Sequence, residues 1–382
     1  MIDAVLTDEQ KMFRESIRKF ARKEVAEYQK KHPLVDGEFP WDQIKLYNKM
    51  GLMGLFIPEE YGGLGGGTTE LTIFLEEFSR AGVFLPPLTQ FGAQRCIVQF
   101  GTKELKSKFL PLIAEGGAIC AYAQTEPNAG SDATAMRSTA VLKGDEYRIN
   151  GTKCFISGAT VASIFVVIAK TDTKVAKKAL GISAFIVEKG TKGLSIGKIE
   201  DKMGAKSSPM ADVIFEDCRI PKGNLLVAQG EGFKKLMHSF NSERCGNTAI
   251  CLGKAEFAFD KALKYSQERE TFGKPICQHQ GIQWMLAEMA TRIKKARLLL
   301  YDAVYKETHG RSVAKDAAMA KMNANEDMVK LISDAMQILG GYGYMKEFEL
   351  EGAYRDARGF AFGGGTPQML RSRIAYELLK GR

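Results

Sequence analysis

Apolar residues recur at helical spacing at both ends of the chain and in short extended runs between them. Near the N-terminus Phe13, Ile17, Phe20 and Val25 fall on one helical face. Thr7 and Gln10 stand just ahead, where a hydroxyl and an amide can satisfy each other's free backbone N–H groups as a capping box. A second helix is predicted over Trp41 to Met50. The stretch from Pro58 to Gly67 reads as a loop. It lacks the G-x-G-x-x-G spacing and follows a helix, not a strand, so it is no dinucleotide fingerprint. Helical patterns resume from Thr68 to about Gly116. Near Cys120 the period changes. Ile164–Ala169, Ile182–Val187 and Asp212–Phe215 read as strands separated by turn residues without intervening helices. That favours an antiparallel sheet or small barrel over βαβ units. Asn150-Gly151, between two extended runs, predicts a hairpin turn. From about Glu231 long helical patterns return, over 240–267, 280–307 and 313–339, the last ending at Gly340-Gly341, suitable C-cap residues. The fold class is therefore α+β, in the order α, β, α. The expected segments are helical over 1–119, β over 120–228 and helical over 229–382.

Composition narrows the function classes. The chain has 382 residues, enough for two or three domains with sizeable cores. Its net charge of +9 suits an anionic ligand such as a phosphorylated cofactor. Nucleic acid is disfavoured, because the basic residues are scattered among acids with no interleaved stacking aromatics. The seven cysteines (Cys96, Cys120, Cys154, Cys218, Cys245, Cys251 and Cys277) form no CxxC pair, and the four histidines show no ligand spacing. Neither a metal site nor a disulfide framework is expected. Reduced thiols, the lack of a secretory pattern at the start and the lack of a membrane-length apolar run lead to an expectation of a cytoplasmic protein without a membrane span.

Six motifs in order then carry a resemblance. They are Tyr122-Ala-Gln-Thr-Glu-Pro-Asn-Ala-Gly-Ser-Asp132, Asn150-Gly-Thr-Lys-Cys-Phe-Ile-Ser157, Met203-Gly204 with Phe215-Glu-Asp217 and Pro221, Arg269-Glu-Thr-Phe-Gly273 with Gln280, Gln337-Ile-Leu-Gly-Gly-Tyr-Gly343, and Tyr354-Arg-Asp-Ala357. Together they resemble the acyl-CoA dehydrogenase family across almost the whole chain. The resemblance implies a helical N-terminal domain, a central antiparallel β domain, a C-terminal four-helix bundle and bound FAD. It implies that Thr125 and Ser157 hydrogen-bond the flavin ring, helped by backbone groups of Tyr122 and Gln124, with Phe155 against the ring. Such bonds stabilise charge on a flavin that accepts hydride. Arg269 and Phe272 would reach the FAD of a neighbouring subunit. Gln280, Gln337, Gly340, Gly341, Thr366 and Gln368 would add FAD contacts. Ser131, Asn241 and Arg244 would bind substrate, Arg244 at the CoA arm. A homotetramer and an electron-transferring flavoprotein as electron acceptor are implied as well.

The chain departs from the family pattern at one position. Many members carry the catalytic base as a glutamate following Y-R-D-A, and here Phe362-Gly-Gly-Gly-Thr-Pro-Gln368 puts Gly364 there. A glycine cannot remove a proton. In isovaleryl- and long-chain-type members the base sits on an earlier helix directly before an arginine, and Glu243-Arg244 matches that placement. Adjacent helical residues point about 100° apart, so Glu243 can face the flavin while Arg244 faces the CoA arm. The expected reaction removes an α proton through Glu243 and a β hydride to flavin N5, with a backbone N–H near Gly364 polarising the thioester carbonyl. The glycines 363–365, together with Gly246 and Asn247 and a Phe84–Leu88 loop free of carboxylates, predict an uncharged acyl group, branched or cyclic. The alternatives are an enoyl-CoA reductase, a cyclic acyl-CoA dehydrogenase with a different elimination, and a non-catalytic flavin-binding subunit.

Overall fold

The computed structural model describes residues 5–230 and 232–380. The N-terminal segment is helical as expected. Helix α1 (Asp8–Lys19) starts at the Thr7 capping box, with Thr7 Oγ1 accepting from the Gln10 N–H at 3.2 Å and Gln10 Oε1 accepting from the Thr7 N–H at 3.1 Å. A π-helical turn (Phe20–Val25) buries Phe20, Ala21 and Val25 and leads into α2 (Ala26–Lys31). Helices α3 (Trp41–Asn48), α4 (Thr68–Arg80), α5 (Leu88–Phe100) and α6 (Lys103–Ala114) complete the segment.

The middle segment is one sheet of β1 (Cys120–Ala123), β2 (Thr139–Lys143), β3 (Glu146–Ser157), β4 (Ile164–Lys170), β5 (Ile182–Glu188), β6 (Leu194–Ile199), β7 (Met210–Pro221) and β8 (Leu225–Val227). The order is β6-β7-β3-β2-β4-β5-β8, with β1 beside β4. Pairing is antiparallel except that β1 runs parallel to β4 and β2 meets β4 in parallel at Thr139 and Lys170. Strand β4 is apolar at consecutive positions because both of its faces are covered. Ile164, Val166 and Ile168 pack in a core with α5 and α6 residues, while Phe165, Val167 and Ala169 pack against β3 and β7 residues.

The hairpin expected at Asn150-Gly151 is not there. Strand β3 runs through this dipeptide, which instead lies opposite a bulge in β7, Asn150 facing both Glu216 and Asp217. Gly151 has φ +143°, and a Cβ there would lie 2.2 Å from Ser138 Oγ. The Asn150 side-chain oxygen accepts from the Asp217 N–H at 2.8 Å. Both residues thus serve close strand packing, a role glycine takes as readily as a turn. The turn falls at Gly144-Asp145, where Lys143 pairs with Glu146.

The C-terminal segment opens with α7 (Gly232–Glu268), 37 residues long and starting a turn or more before the first periodic apolar position. A two-stranded ribbon, β9 (Glu270–Thr271) and β10 (Lys274–Pro275), then precedes α8 (Gln280–Thr308), α9 (Ala314–Leu339), α10 (Leu350–Gly359) and α11 (Pro367–Leu379). Helices α7, α8 and α9 pack together and α11 packs on α9. Gly340 caps α9 with φ +59°. Gly253 lets α7 cross α4 closely, since a Cβ there would sit 2.4 Å from the Glu76 carbonyl oxygen. The two helical segments therefore share one apolar core, and α7 is the element joining them to each other.

Candidate active site

Near its N-terminal end α7 directs Glu243 into a gap between α5 and the Phe360–Gly365 loop. A Cβ on Gly92 of α5 would lie 3.8 Å from Glu243 Oε2, and one on Gly364 would lie 3.6 Å from Oε1. The carboxylate thus occupies the space that a side chain at position 364 would enter. Among the described residues nothing hydrogen-bonds it. Burial without a partner penalises the ionised form. It pushes the Glu243 carboxyl up to about 7, against the pull of the neighbouring Arg244 and Lys321 charges. The flanking Cys96 thiol, on α5, is pushed up to about 12 by burial and stays neutral.

The glycine loop is wired from the protein interior. Gly364 and Gly365 have φ of +69° and +101°. Arg244 Nε donates to the Gly364 carbonyl at 3.3 Å, and Asn247 Nδ2 donates to that of Phe360 at 3.0 Å. Lys321 of α9 donates to Gly365 O at 2.9 Å, to Phe360 O at 3.3 Å and to Asn325 Oδ1 at 2.7 Å. The N–H groups of Gly363 and Gly364 find no acceptor among the described residues.

Of the expected flavin-ring residues, Tyr122 lies beside this gap. Tyr122, at the end of β1, stacks edge-on against Phe240 of α7 at 5.4 Å and donates its hydroxyl to Gln124 Oε1 at 3.0 Å. The Thr125 carbonyl accepts from the Cys154 N–H at 2.9 Å, which ties the loop after β1 to β3. Beneath it the fully buried Lys153 donates to Glu126 at 2.7 Å and to the Gln124 carbonyl at 3.1 Å. Phe155 sits in a bulge of β3 with φ +58°, its side chain well exposed, and Ser157 follows two residues on. An exposed aromatic held in a costly backbone conformation fits stacking on a flat apolar ring. Thr366 caps α11, accepting from the Met369 N–H at 3.4 Å, and Gln368 is exposed one residue into that helix. Ser131 is exposed on the loop after β1, and Asn241, buried on α7, accepts from Arg244 Nη1 at 3.0 Å.

The remaining expected cofactor residues lie at the other end of α7. Arg269, Gly340 and Gly341 line a cleft with Tyr265, Thr271 and Tyr342. A Cβ on either glycine would meet nothing within 4 Å. A cation beside open backbone fits a dinucleotide's phosphates. Gln337 is exposed nearby in sequence, Gln280 opens α8, and Phe272 is 96% exposed. Glu243 and Arg269 are separated by 26 helical steps, about 39 Å at 1.5 Å each. The expected FAD residues thus fall into two groups, one towards each end of α7.

Two expectations change. Gly246 does not widen the gap, because a Cβ there would meet Leu88 and Leu75 methyl carbons at 2.9 and 3.0 Å. Asn247 is committed to the Phe360 carbonyl and to Asn325, whose Nδ2 donates to its side-chain oxygen at 3.0 Å. The free space lies instead at Gly92, which sequence reasoning missed, as it missed Lys321 and Asn325. The signal for the last two was a lysine and an asparagine inside the alanine-rich buried stripe of α9. No His/Cys/Asp/Glu cluster able to hold a metal occurs among the described residues, and no described helix is long and apolar enough to cross a membrane.

Comparison with known proteins gives a consistent picture. The acyl-CoA dehydrogenase N-terminal, middle and C-terminal domains match residues 7–117, 121–218 and 230–379. An acryloyl-CoA reductase (NADH) of Anaerotignum propionicum is 44% identical over 99% of this chain and 96% of its own. The caffeyl-CoA reductase-Etf complex subunit CarC of Acetobacterium woodii is 39% identical over 98% of this chain and 99% of its own. Butyryl-CoA dehydrogenase from Megasphaera elsdenii superposes with a TM-score of 0.90 at 35% identity, covering 98% and 99% of the two chains.

Proposed function

The chain belongs to the acyl-CoA dehydrogenase family, FAD-dependent oxidoreductases acting on CH–CH bonds, and from that premise we propose that it interconverts an uncharged acyl-CoA and its α,β-enoyl-CoA with Glu243 as the proton-transfer group. The observation that carries this reading is the Glu243 carboxyl lying 3.6 Å from the would-be Cβ of Gly364, where the family's more common glutamate would project.

The Tyr122–Thr125 loop, Phe155, Ser157, Thr366 and Gln368 would hold FAD, which would supply the hydride acceptor or donor at the β carbon. The chain's own residues handle the proton and the developing charge. In the oxidative direction Glu243 takes the α proton as the β hydride departs, so the substrate loses one proton and one hydride. The unclaimed N–H of Gly364 or a neighbour donates to the thioester oxygen, where enolate-like charge accumulates. Ser131 and Arg244 hold the CoA arm, and Asn241 steadies the Arg244 guanidinium. A carboxyl with pKa about 7 is poised for transfer in either direction near neutral pH. That poise, with a 44% identical relative named as an acryloyl-CoA reductase, supports a second reading in which Glu243 returns the proton to the α carbon of an enoyl-CoA.

The acyl end is short and broad in this reading. Leucines 71, 75 and 88 close the gap one turn beyond Glu243, while Gly92 leaves room beside it. The separation of the two FAD-contact groups along α7 supports assembly with a second copy, in a homotetramer, so that Arg269 and Phe272 reach a neighbour's cofactor. An electron-transferring flavoprotein is the proposed electron partner, in keeping with the Etf complex of the Acetobacterium relative.

Anaerobic mixing of the holoenzyme with straight, branched, cyclic and aromatic acyl-CoAs tests the reading. Bleaching of the flavin by short uncharged acyl-CoAs is expected. Reoxidation of pre-reduced flavin by enoyl-CoAs alone moves the assignment to the reductase. A preference for dicarboxylic acyl-CoAs sinks the substrate class, and silence in both directions sinks the enzymatic reading.

A further inference from the structure

Lys321 is a fully buried lysine on α9 that the reaction described above does not use. Its ammonium faces three oxygens, those of Asn325, Phe360 and Gly365, and no donor. Only the protonated form has three N–H groups to meet three acceptors. Two of those acceptors are main-chain carbonyls of the glycine loop; Asn247 shares that of Phe360, and Arg244 holds that of Gly364. Turning these carbonyl oxygens inward leaves the N–H groups of Gly363 and Gly364 without partners among the described residues. The lysine stem also runs beneath the reacting gap, its Cε 3.4 Å from the Cβ position of Gly364.

We propose that Lys321 is a positioning residue: its ammonium fixes the peptide planes of the Phe360–Gly365 loop so that a loop N–H meets the thioester oxygen, and its charge keeps Glu243 ionisable. The proposal rests on the reading of Glu243 as the proton-transfer group. Among the described residues the groups facing the pair are few. Arg244 and Cys251 come from α7, Cys96 from α5 and Tyr122 from β1, and Arg373 of α11 acts through Arg244. Burial raises both thiols, Cys251 to about 11 and Cys96 to about 12, and raises Tyr122 further, so these three stay neutral. Lys321 itself is brought down by burial to about 8. Above that pH it loses a proton, and one of its three hydrogen bonds must break.

The test is the anaerobic rate of flavin reduction by a short acyl-CoA, followed against pH in wild-type holoenzyme and in Lys321→Met. The wild type is expected to lose rate above about pH 8. The variant should reduce its flavin roughly tenfold to a hundredfold more slowly, with half-saturation nearly unchanged, since a misaimed donor costs mainly in the transition state. Its acid limb should move up in pH, because a cation that favours the Glu243 carboxylate is gone, and its alkaline limb should vanish. A Lys321→Met enzyme with wild-type rate, or a slow one with both limbs unmoved, overturns the proposal. If that variant does not retain FAD, the wild-type profile decides: a rate flat to about pH 10, the ordinary lysine range, overturns it. Glu243→Gln run alongside separates the two ideas. An active Glu243→Gln sinks the base assignment, whereas an inactive one beside an unaffected Lys321→Met sinks only the role of Lys321.

Discussion

The two ends of α7 do opposite things with similar materials. At the Glu243 end, Lys321 is buried and Glu243 and Arg244 are half-buried, and the Phe360, Gly364 and Gly365 carbonyls of the neighbouring loop are claimed by Arg244, Asn247 or Lys321. At the Arg269 end, the glycines face open space and Phe272 is almost wholly exposed. One end is completed within the chain, and its chemistry is set by desolvation. The other presents a cation and bare backbone outward, and its chemistry is set by whatever docks there. Substitutions at the first end should therefore change proton transfer, and those at the second should change cofactor retention.

The sharpest way to break that contrast is Glu243→Gln. Loss of the proton-transfer group should slow flavin reduction by about 10³-fold, within the range general acid–base groups supply, with FAD still bound. The same change has a second, opposite signature. The folded carboxyl is raised to about 7 from an ordinary value of 4.5, so its neutral form is favoured on folding. Its contribution to stability is present below about pH 4.5 and is lost as pH rises through 7. At pH 8 Glu243→Gln should thus be more stable than wild type by up to about 3 kcal/mol, at 1.36 kcal/mol per pKa unit, and the gap should close towards pH 4. Urea midpoints at the two pH values measure this. A variant that is inactive but no more stable at pH 8 would mean that Glu243 is solvated, not desolvated.

Arg269→Ala is the matching change at the open end. It should weaken FAD binding by roughly tenfold to a hundredfold, the value of one charge-assisted contact to phosphate. Once the flavin is saturated, the pH limbs of its reduction should match wild type. Equilibrium dialysis against FAD and the pH profile together decide. A displaced limb would show that the two ends of α7 are coupled, not independent.

This contrast also explains what was legible in the sequence. The open end announces itself in contiguous motifs, Arg269–Gly273 and Gln337–Gly343, because the groups it presents are local backbone and a single cation. The helix-sheet-helix order was legible for a similar reason, since period and capping are local: the Thr7 box and the extended runs of β4, β5 and β7 appear where patterning puts them. The inner end depends on contacts between α5, α7, α9 and the glycine loop, distant in sequence. Glu243 stands out in the sequence only beside the glycine at 364. Lys321 and Gly92 acquire meaning only when the helices are packed. Asn150-Gly151 failed for the same reason: the dipeptide suits a turn, and only the neighbouring Ser138 and Asp217 show that it lies opposite a bulge.

The smallest expected effects come from two glycines on either side of Glu243, and they test whether the free volume at this end is where the geometry puts it. Gly92→Ala and Gly246→Ala each replace a glycine inside a helix, which alone favours folding by about 0.5–1 kcal/mol. At Gly92 the new methyl meets only Glu243 Oε2, at 3.8 Å, an ordinary contact. The full gain should appear in the unfolding free energy, and flavin reduction by branched acyl-CoAs should fall more than reduction by linear ones. At Gly246 the methyl runs into Leu88 and Leu75 at 2.9 and 3.0 Å. Those are ends of flexible side chains, so the packing gives way at a cost of about 1–3 kcal/mol, which outweighs the helical gain. The pair should therefore differ in sign although the chemistry of the change is identical. If Gly246→Ala proved the stabilised variant and Gly92→Ala left the acyl preference untouched, the room for a broad acyl group would lie beyond Gly246, and the leucine barrier would not limit the substrate.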